Sequence, residues 1–266
     1  MQPDEHPGRR RSLAIPAAAF VVLLIVVGGA VLLSLRQSLS PAHRETTPTK
    51  TYRGADKLMI DLSSADIVLR GGTGDAVRVS RTMSWNNSRP EVSVDVEDGT
   101  LAVRSNGCRH GVGFDTCRVS ITVTLPATLP VSMRTESGDA RLTGLTGPVR
   151  VRTSSGDVTA SGLSGELDAQ IDSGDLTADD VTSPRVNVIA DSGNVQLTFA
   201  AVPQRVVART SSGDLRLRVP RTGDGYAIST AVSSGDRRVV PTSRAGSAHR
   251  LDLSADSGDL TVDYAN

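Results

Sequence analysis

Seven copies of a three-residue motif recur through the second half of this chain: Ser137-Gly138-Asp139, Ser155-Gly156-Asp157, Ser173-Gly174-Asp175, Ser192-Gly193-Asn194, Ser212-Gly213-Asp214, Ser234-Gly235-Asp236 and Ser257-Gly258-Asp259. Their glycines are 18, 18, 19, 20, 22 and 23 residues apart. Self-similarity at a period of about 20 residues marks a stacked-repeat architecture. The positions seven, five and three before each glycine are apolar or Thr, as in Val149, Val151 and Thr153, or Leu167, Ala169 and Ile171. Polar residues such as Arg150, Arg152, Asp168 and Gln170 alternate with them. The alternation resumes after the motif, at Val158 and Ala160 or Leu176 and Ala178; Arg237, in the sixth copy, is the exception. Period-two patterning on both sides predicts strand, corner, strand, second turn.

One such unit cannot bury its apolar face alone, whereas stacked units share a continuous core. The predicted fold class is all-β: a single-stranded β-solenoid or β-helix of about seven to eight rungs. With about 4.8 Å between rungs, the rod is on the order of 30 Å long. The corner residues have a structural explanation. Gly supplies positive φ, Asp bonds its own backbone two residues on, and Ser, in the apolar register, points inward or into the corner. The rival reading is a column of carboxylates that holds cations. Asn194, which keeps the hydrogen bond and drops the charge, favours the corner reading.

Residues 13–35 carry no charge and are interrupted only by Pro16, Gly28, Gly29 and Ser34. That length suits a membrane-spanning helix. It exceeds the usual apolar core of a cleaved signal peptide and lacks a small-residue cleavage site just beyond it. The expected organisation is therefore a cytoplasmic tail at 1–12, a transmembrane signal anchor at 13–35, a linker at 36–51, an irregular β cap at 52–130 and regular repeats at 131–266. Arg9, Arg10 and Arg11 set the amino terminus inside and the bulk of the chain outside the membrane. Cys108 and Cys117 are the only cysteines, and in an oxidising compartment they read as one disulfide closing a Gly-rich hairpin loop. Within the cap, Leu58 to Leu69 resembles a worn repeat around Ser64-Ala65-Asp66, and Asp98-Gly99 signals a hairpin. Trp85 is either a contact point or a core plug. An exposed last strand, Thr261 to Asn266, would leave the solenoid end open to self-association or partner pairing.

Little in the chain points to chemistry. His6, His43, His110 and His249 lack metal-ligand spacing and read as solvated side chains. Gly71-Gly72-Thr73-Gly74-Asp75 has no following helix to hold a phosphate and reads as a turn. Arg134, Arg150, Arg152, Arg205 and Arg209 line one strand face, and the formal charge of zero gives no sign of nucleic acid. No catalytic, cofactor-binding or metal-binding residue is assigned, and no cofactor is expected.

The units typified by Val149-Arg-Val-Arg-Thr-Ser-Ser-Gly-Asp-Val158, together with Thr100-Leu-Ala-Val-Arg-Ser105 and the step from Val123 to Pro126, carry a resemblance. Over roughly residues 55–262 the chain resembles the bacterial putative-adhesin β-solenoid family, a domain of unknown function often preceded by one membrane helix. The resemblance implies a repetitive domain of the cell envelope and brings no catalytic residues with it. The expected function is a non-catalytic, membrane-anchored, extracytoplasmic interaction module that contacts a cell-wall polymer or an envelope protein. Two alternatives stay open: an accessory of an envelope-stress signalling system, and a carbohydrate-active β-helix enzyme, which would need paired carboxylates and an aromatic groove.

Overall fold

The computed structural model describes residues 43–86, 88–107 and 117–265. The strands there are β1 (His43–Tyr52), β2 (Lys57–Ser64), β3 (Asp66–Gly72), β4 (Val77–Trp85), β5 (Val92–Glu97), β6 (Thr100–Ser105), β7 (Cys117–Pro126), β8 (Val131–Ser137), β9 (Ala140–Thr143), β10 (Val149–Ser155) and β11 (Val158–Ser161). They continue as β12 (Leu167–Ser173), β13 (Leu176–Val181), β14 (Arg185–Ser192), β15 (Val195–Phe199), β16 (Arg205–Ser212), β17 (Leu215–Val219), β18 (Ala227–Ser234), β19 (Arg237–Val239), β20 (Arg250–Ser257) and β21 (Leu260–Tyr264). Among the described residues no helix is long and apolar enough to cross a membrane. The tail at 1–12, the anchor at 13–35 and the first part of the linker lie outside the described residues, as do Cys108 and His110.

Each repeat contributes one strand to each of two sheets. The ten-stranded sheet has the order β18-β20-β16-β14-β12-β10-β8-β2-β6-β5, and the eleven-stranded sheet β1-β4-β7-β3-β9-β11-β13-β15-β17-β21-β19. From β2 to β18 and from β3 to β19 the neighbours are parallel and, apart from a slip late in β13, keep one register, so Val131, Val149, Leu167, Val186, Val206 and Leu251 form one buried column. Ala140, Val158, Leu176, Val195, Leu215 and Leu260 form a facing one. Each buried Val or Leu contributes about 1.5–3 kcal/mol, so the columns drive the stacking that the ladder hydrogen bonds then fix in register. The stretch around Ser64-Ala65-Asp66 is a full rung, with Ser64 paired to Ser137.

The stack does not end in sequence order. β20 and β21, the last strands of the chain, lie between β16 and β18 and between β17 and β19. The sixth copy is therefore the terminal rung and the seventh is internal. This corrects the expectation of an exposed last strand at Thr261 to Asn266. It also explains Arg237, which occupies the register of Leu260 on a rung with no neighbour beyond it. Arg237 and Arg238 are exposed there, and Arg237 donates to Thr230 Oγ1 at 2.9 Å. The connection that makes this crossing is pinned by Tyr226, 1% exposed, whose hydroxyl donates to the Pro220 carbonyl at 2.7 Å. Burial, with a smaller contribution from Tyr264, pushes the Tyr226 phenol up to about 12. His249, expected to be solvated, packs edge-on to Tyr226 with its Nδ1 2.9 Å from the Pro203 carbonyl.

The other end is built differently. β6 and β7 extend the parallel stack, but β5 pairs with β6, β4 with β7 and β1 with β4 in antiparallel fashion. Asp98 and Gly99 both have positive φ, 47° and 69°, which closes the β5–β6 hairpin. Residues 43–51, expected as linker, belong to β1, since the alternating threonines of this stretch pair along β4. Trp85 plugs this end: it is half-buried against the core, stacks on His43 at 5.8 Å and lies under the Arg89 guanidinium at 5.9 Å.

Candidate functional site

The repeated motif is spent on the corner. Every motif glycine has φ between 113° and 136°, and a Cβ added to Gly174 would lie 2.3 Å from the Gly156 carbonyl oxygen of the rung beside it. Only glycine supplies that dihedral together with that close approach. The aspartates form a ladder between rungs rather than bonds to their own turns. The backbone N–H of Asp157 donates to Asp139 Oδ1 at 3.1 Å, that of Asp175 to Asp157 at 2.9 Å, and that of Asn194 to Asp175 at 2.7 Å. The series continues from Asp214 to Asn194, from Asp259 to Asp214 and from Asp236 to Asp259. Asn194 accepts like the others and also donates through Nδ2 to Asp175 at 3.2 Å, which relieves a column of like charges at its middle. The motif serines are exposed rather than inward-facing. The inward hydroxyl belongs to the Thr two residues earlier: Thr135 and Thr153 donate to the Ser137 and Ser155 carbonyls at 3.1 and 3.3 Å. Among the described residues no group of three His, Cys, Asp or Glu side chains is placed to hold a metal ion.

The outer face of the ten-stranded sheet carries the arginines singled out from sequence. Arg150 donates to Asp168 at 3.1 Å, Asn187 to Asp168 at 2.9 Å, and Arg205 to Asp252 at 2.9 Å; Arg185 pairs with Glu166. Burial pushes the Asp168 carboxyl up, but the bonds from Asn187 and Arg150 outweigh it and hold the group below its ordinary range. Arg134 and Arg152 sit side by side in register and form no ion pair among the described residues. Cys117 opens β7 opposite Trp85.

A concavity of about 1080 Å³ lies on the eleven-stranded sheet near the terminal rungs. Arg218 sits there between Thr198 and Asp263 in register. Arg221, on the connection after β17, lies 4.1 Å over the Tyr264 ring. Asp263 is held by Arg238 at 2.9 Å, whereas Arg218 and Arg221 have no carboxylate within ion-pair distance among the described residues. Thr198 Oγ1 is the only buried side-chain polar atom among the described residues without a hydrogen-bond partner. Across the groove Asp180 has φ 54° at a bulge in β13, where the register slips between Ala178 and Val181. None of these residues stands out in the sequence, because the groove is assembled from four rungs and from the connection to the displaced sixth repeat. The sequence sign that bears on it is the wider glycine spacing around the sixth copy, which the long turn from Pro220 to Gly225 takes up.

Fold and surface together define a two-sheet, solenoid-like repeat domain whose motif builds corners and whose polar columns face outward. The chain belongs to the Toastrack DUF4097 family, whose model matches residues 55–266. Among solved structures, a "putative adhesin" from Bacteroides fragilis is 17% identical over 83% of this chain and 97% of that one, with a TM-score of 0.51. A "putative cell adhesion protein" from Clostridium sporogenes is 15% identical over 85% of this chain and 100% of that one, with a TM-score of 0.43. The likeness to the former establishes a shared fold. No curated protein matches the chain.

Proposed function

We propose that this chain is an adhesin-like interaction module whose β stack is held at the outer side of the cell membrane by residues 13–35. Its work is binding rather than catalysis. The observation that carries this reading is the in-register outer face of the ten-stranded sheet, where polar residues recur from rung to rung and Arg134 and Arg152 form no close ion pair among the described residues. A repeating surface of that kind suits an extended, repetitive partner such as a wall polymer. The names of the structural neighbours agree with it, and the Cys108–Cys117 pair fits an oxidising space.

The enzymatic reading has less support. The groove on the other sheet holds two carboxylates, Asp180 and Asp263, but Asp263 is committed to Arg238. A glycoside-cleaving pair needs both carboxyls free, one to donate a proton and the other to act as base or nucleophile. The test is retention of the full-length chain, in detergent micelles, on purified cell-wall material. Retention that falls with salt and weakens severalfold in an Arg134→Gln, Arg152→Gln double variant is the expected result. Absence of retention, or release of soluble sugar from the wall material by the protein, overturns it.

A further inference from the structure

We propose that the groove between Asp180 and Tyr264 is a binding site for an acidic saccharide, a sugar unit carrying a carboxylate or a phosphate. The inference deepens the interaction-module reading and rests on it. Cationic character comes first. On the strands that floor the groove, Arg216 and Arg238 are paired with Asp214 and Asp263 at 2.7 and 2.9 Å, while Arg218 and Arg221 form no ion pair among the described residues. Two guanidiniums facing one concavity bind oxyanions with paired, directional hydrogen bonds. Arg221 is already oriented by the Tyr264 ring, so little of its freedom remains to be lost on binding.

The unpartnered Thr198 hydroxyl is the independent sign of a ligand. A buried hydroxyl without a partner is costly, and Thr198 lies next to Arg218 in register and lines the groove. Rotation of the Thr198 side chain brings its hydroxyl to an oxyanion or sugar hydroxyl held by Arg218, which satisfies both. Asp180 decides between a bare anion and a sugar. Its carboxylate opposes an ion alone but accepts hydrogen bonds from hydroxyls, so the groove selects a ligand that carries both. Val240, 45% exposed, offers an apolar contact for the C–H face of a sugar ring. The volume of about 1080 Å³ accommodates a short oligosaccharide rather than an ion.

The test is calorimetric titration of the full-length chain in detergent micelles with three probes: a galacturonate hexamer, a phosphorylated maltohexaose and neutral maltohexaose. The expected result is binding of at least one acidic probe, none of maltohexaose, and weakening at about 0.5 M salt. The tighter of the two acidic probes tells whether carboxylate or phosphate is the natural group. Arg218→Gln and Arg221→Gln are each expected to weaken binding about tenfold, with Arg218→Lys retaining part of it because the charge remains without the fork. Thr198→Val is expected to cost about threefold. Arg104→Gln, exposed on β6 at the opposite end of the stack, leaves this binding unchanged. Equal binding of maltohexaose, unaltered binding in both arginine variants, or no acidic binding at millimolar probe overturns the inference. Wall retention that depends on Arg134 and Arg152 but not on Arg218 would remove the groove while leaving the interaction-module reading in place.

Discussion

Between β8 and β17 every strand lies parallel to the strand one repeat away, in register apart from the bulge in β13 and with its inward side chains buried; at the two ends of the stack those rules are broken in opposite ways. The amino-terminal end reverses direction, with β5, β4 and β1 antiparallel, a register shift between Thr47 and Lys50, and Trp85 half-buried against the core. The carboxy-terminal end keeps the parallel direction but reorders the repeats, so that the last one is covered by the sixth. A stack of identical units always leaves two open edges, and an open edge invites pairing with another chain. One end is blunted by strand reversal with Pro48 and Lys50 in the edge strand, the other by an inward-register arginine. The middle shows what a rung requires, and the ends show what it costs to stop.

The largest effect that separates middle from end concerns the corner glycines. Gly174→Ala puts a Cβ 2.3 Å from the Gly156 oxygen at a φ of 128°, with rungs on both sides, and should cost more than about 3 kcal/mol or prevent folding. Gly235→Ala meets a similar contact, 2.2 Å from the Gly258 oxygen, but its rung can lift away, so the loss should be about half as large. Gly74→Ala, with nothing within 4 Å, should stay within about 0.5 kcal/mol. Urea unfolding of the three variants measures this, and equal losses at positions 174 and 235 would refute the difference drawn between middle and end.

The carboxylate ladder gives a smaller contrast. Asp175→Ala removes the acceptor for two Asn194 donors and should cost about 1 kcal/mol, whereas Asp175→Asn should be nearly neutral, as Asn194 already shows a workable substitute. Asp236 ends the ladder and has no successor on its open side, so Asp236→Ala should change thermal stability by less than about 0.5 kcal/mol. A comparable loss at both positions would mean that the ladder does not contribute through its inter-rung bonds.

The smallest change in stability accompanies a change in association. Arg237→Val completes the apolar column on the terminal rung and removes the charge that guards it. Light scattering should show concentration-dependent self-association of this variant, with the wild type and Arg238→Gln unchanged. A variant that stays as dispersed as the wild type would show that the end is closed by something other than Arg237.

Much of this arrangement was legible in the residues. Alternation around Ser-Gly-Asp located the strands β8 to β21, and Asp98-Gly99 located a hairpin, because both are local consequences of side-chain direction and backbone dihedral. The serines were misread. Counting by twos through the corner put them inside, but the turn at the motif glycine breaks the alternation one residue early and leaves them exposed. The threonine-rich run at residues 43–51 was misread as linker, since a strand that pairs along an edge needs no apolar face. The strand residues of the groove were not legible: Thr198, Arg218 and Asp263 are ordinary outward residues until their rungs are stacked.

The sequence by itself determined the unit of this protein: a two-strand rung, a glycine corner and a core face, each dictated by interactions within about 20 residues. The tertiary structure alone decided the order of the rungs and what covers each end. Every rung presents the same backbone edge and nearly the same apolar columns to its neighbours, so local chemistry does not distinguish β18 from β20 as the partner of β16. That choice depends on the length of the connection from Pro220 to Tyr226, on the burial of Tyr226 and on the single inward arginine that makes the sixth repeat tolerable only where nothing lies beyond it.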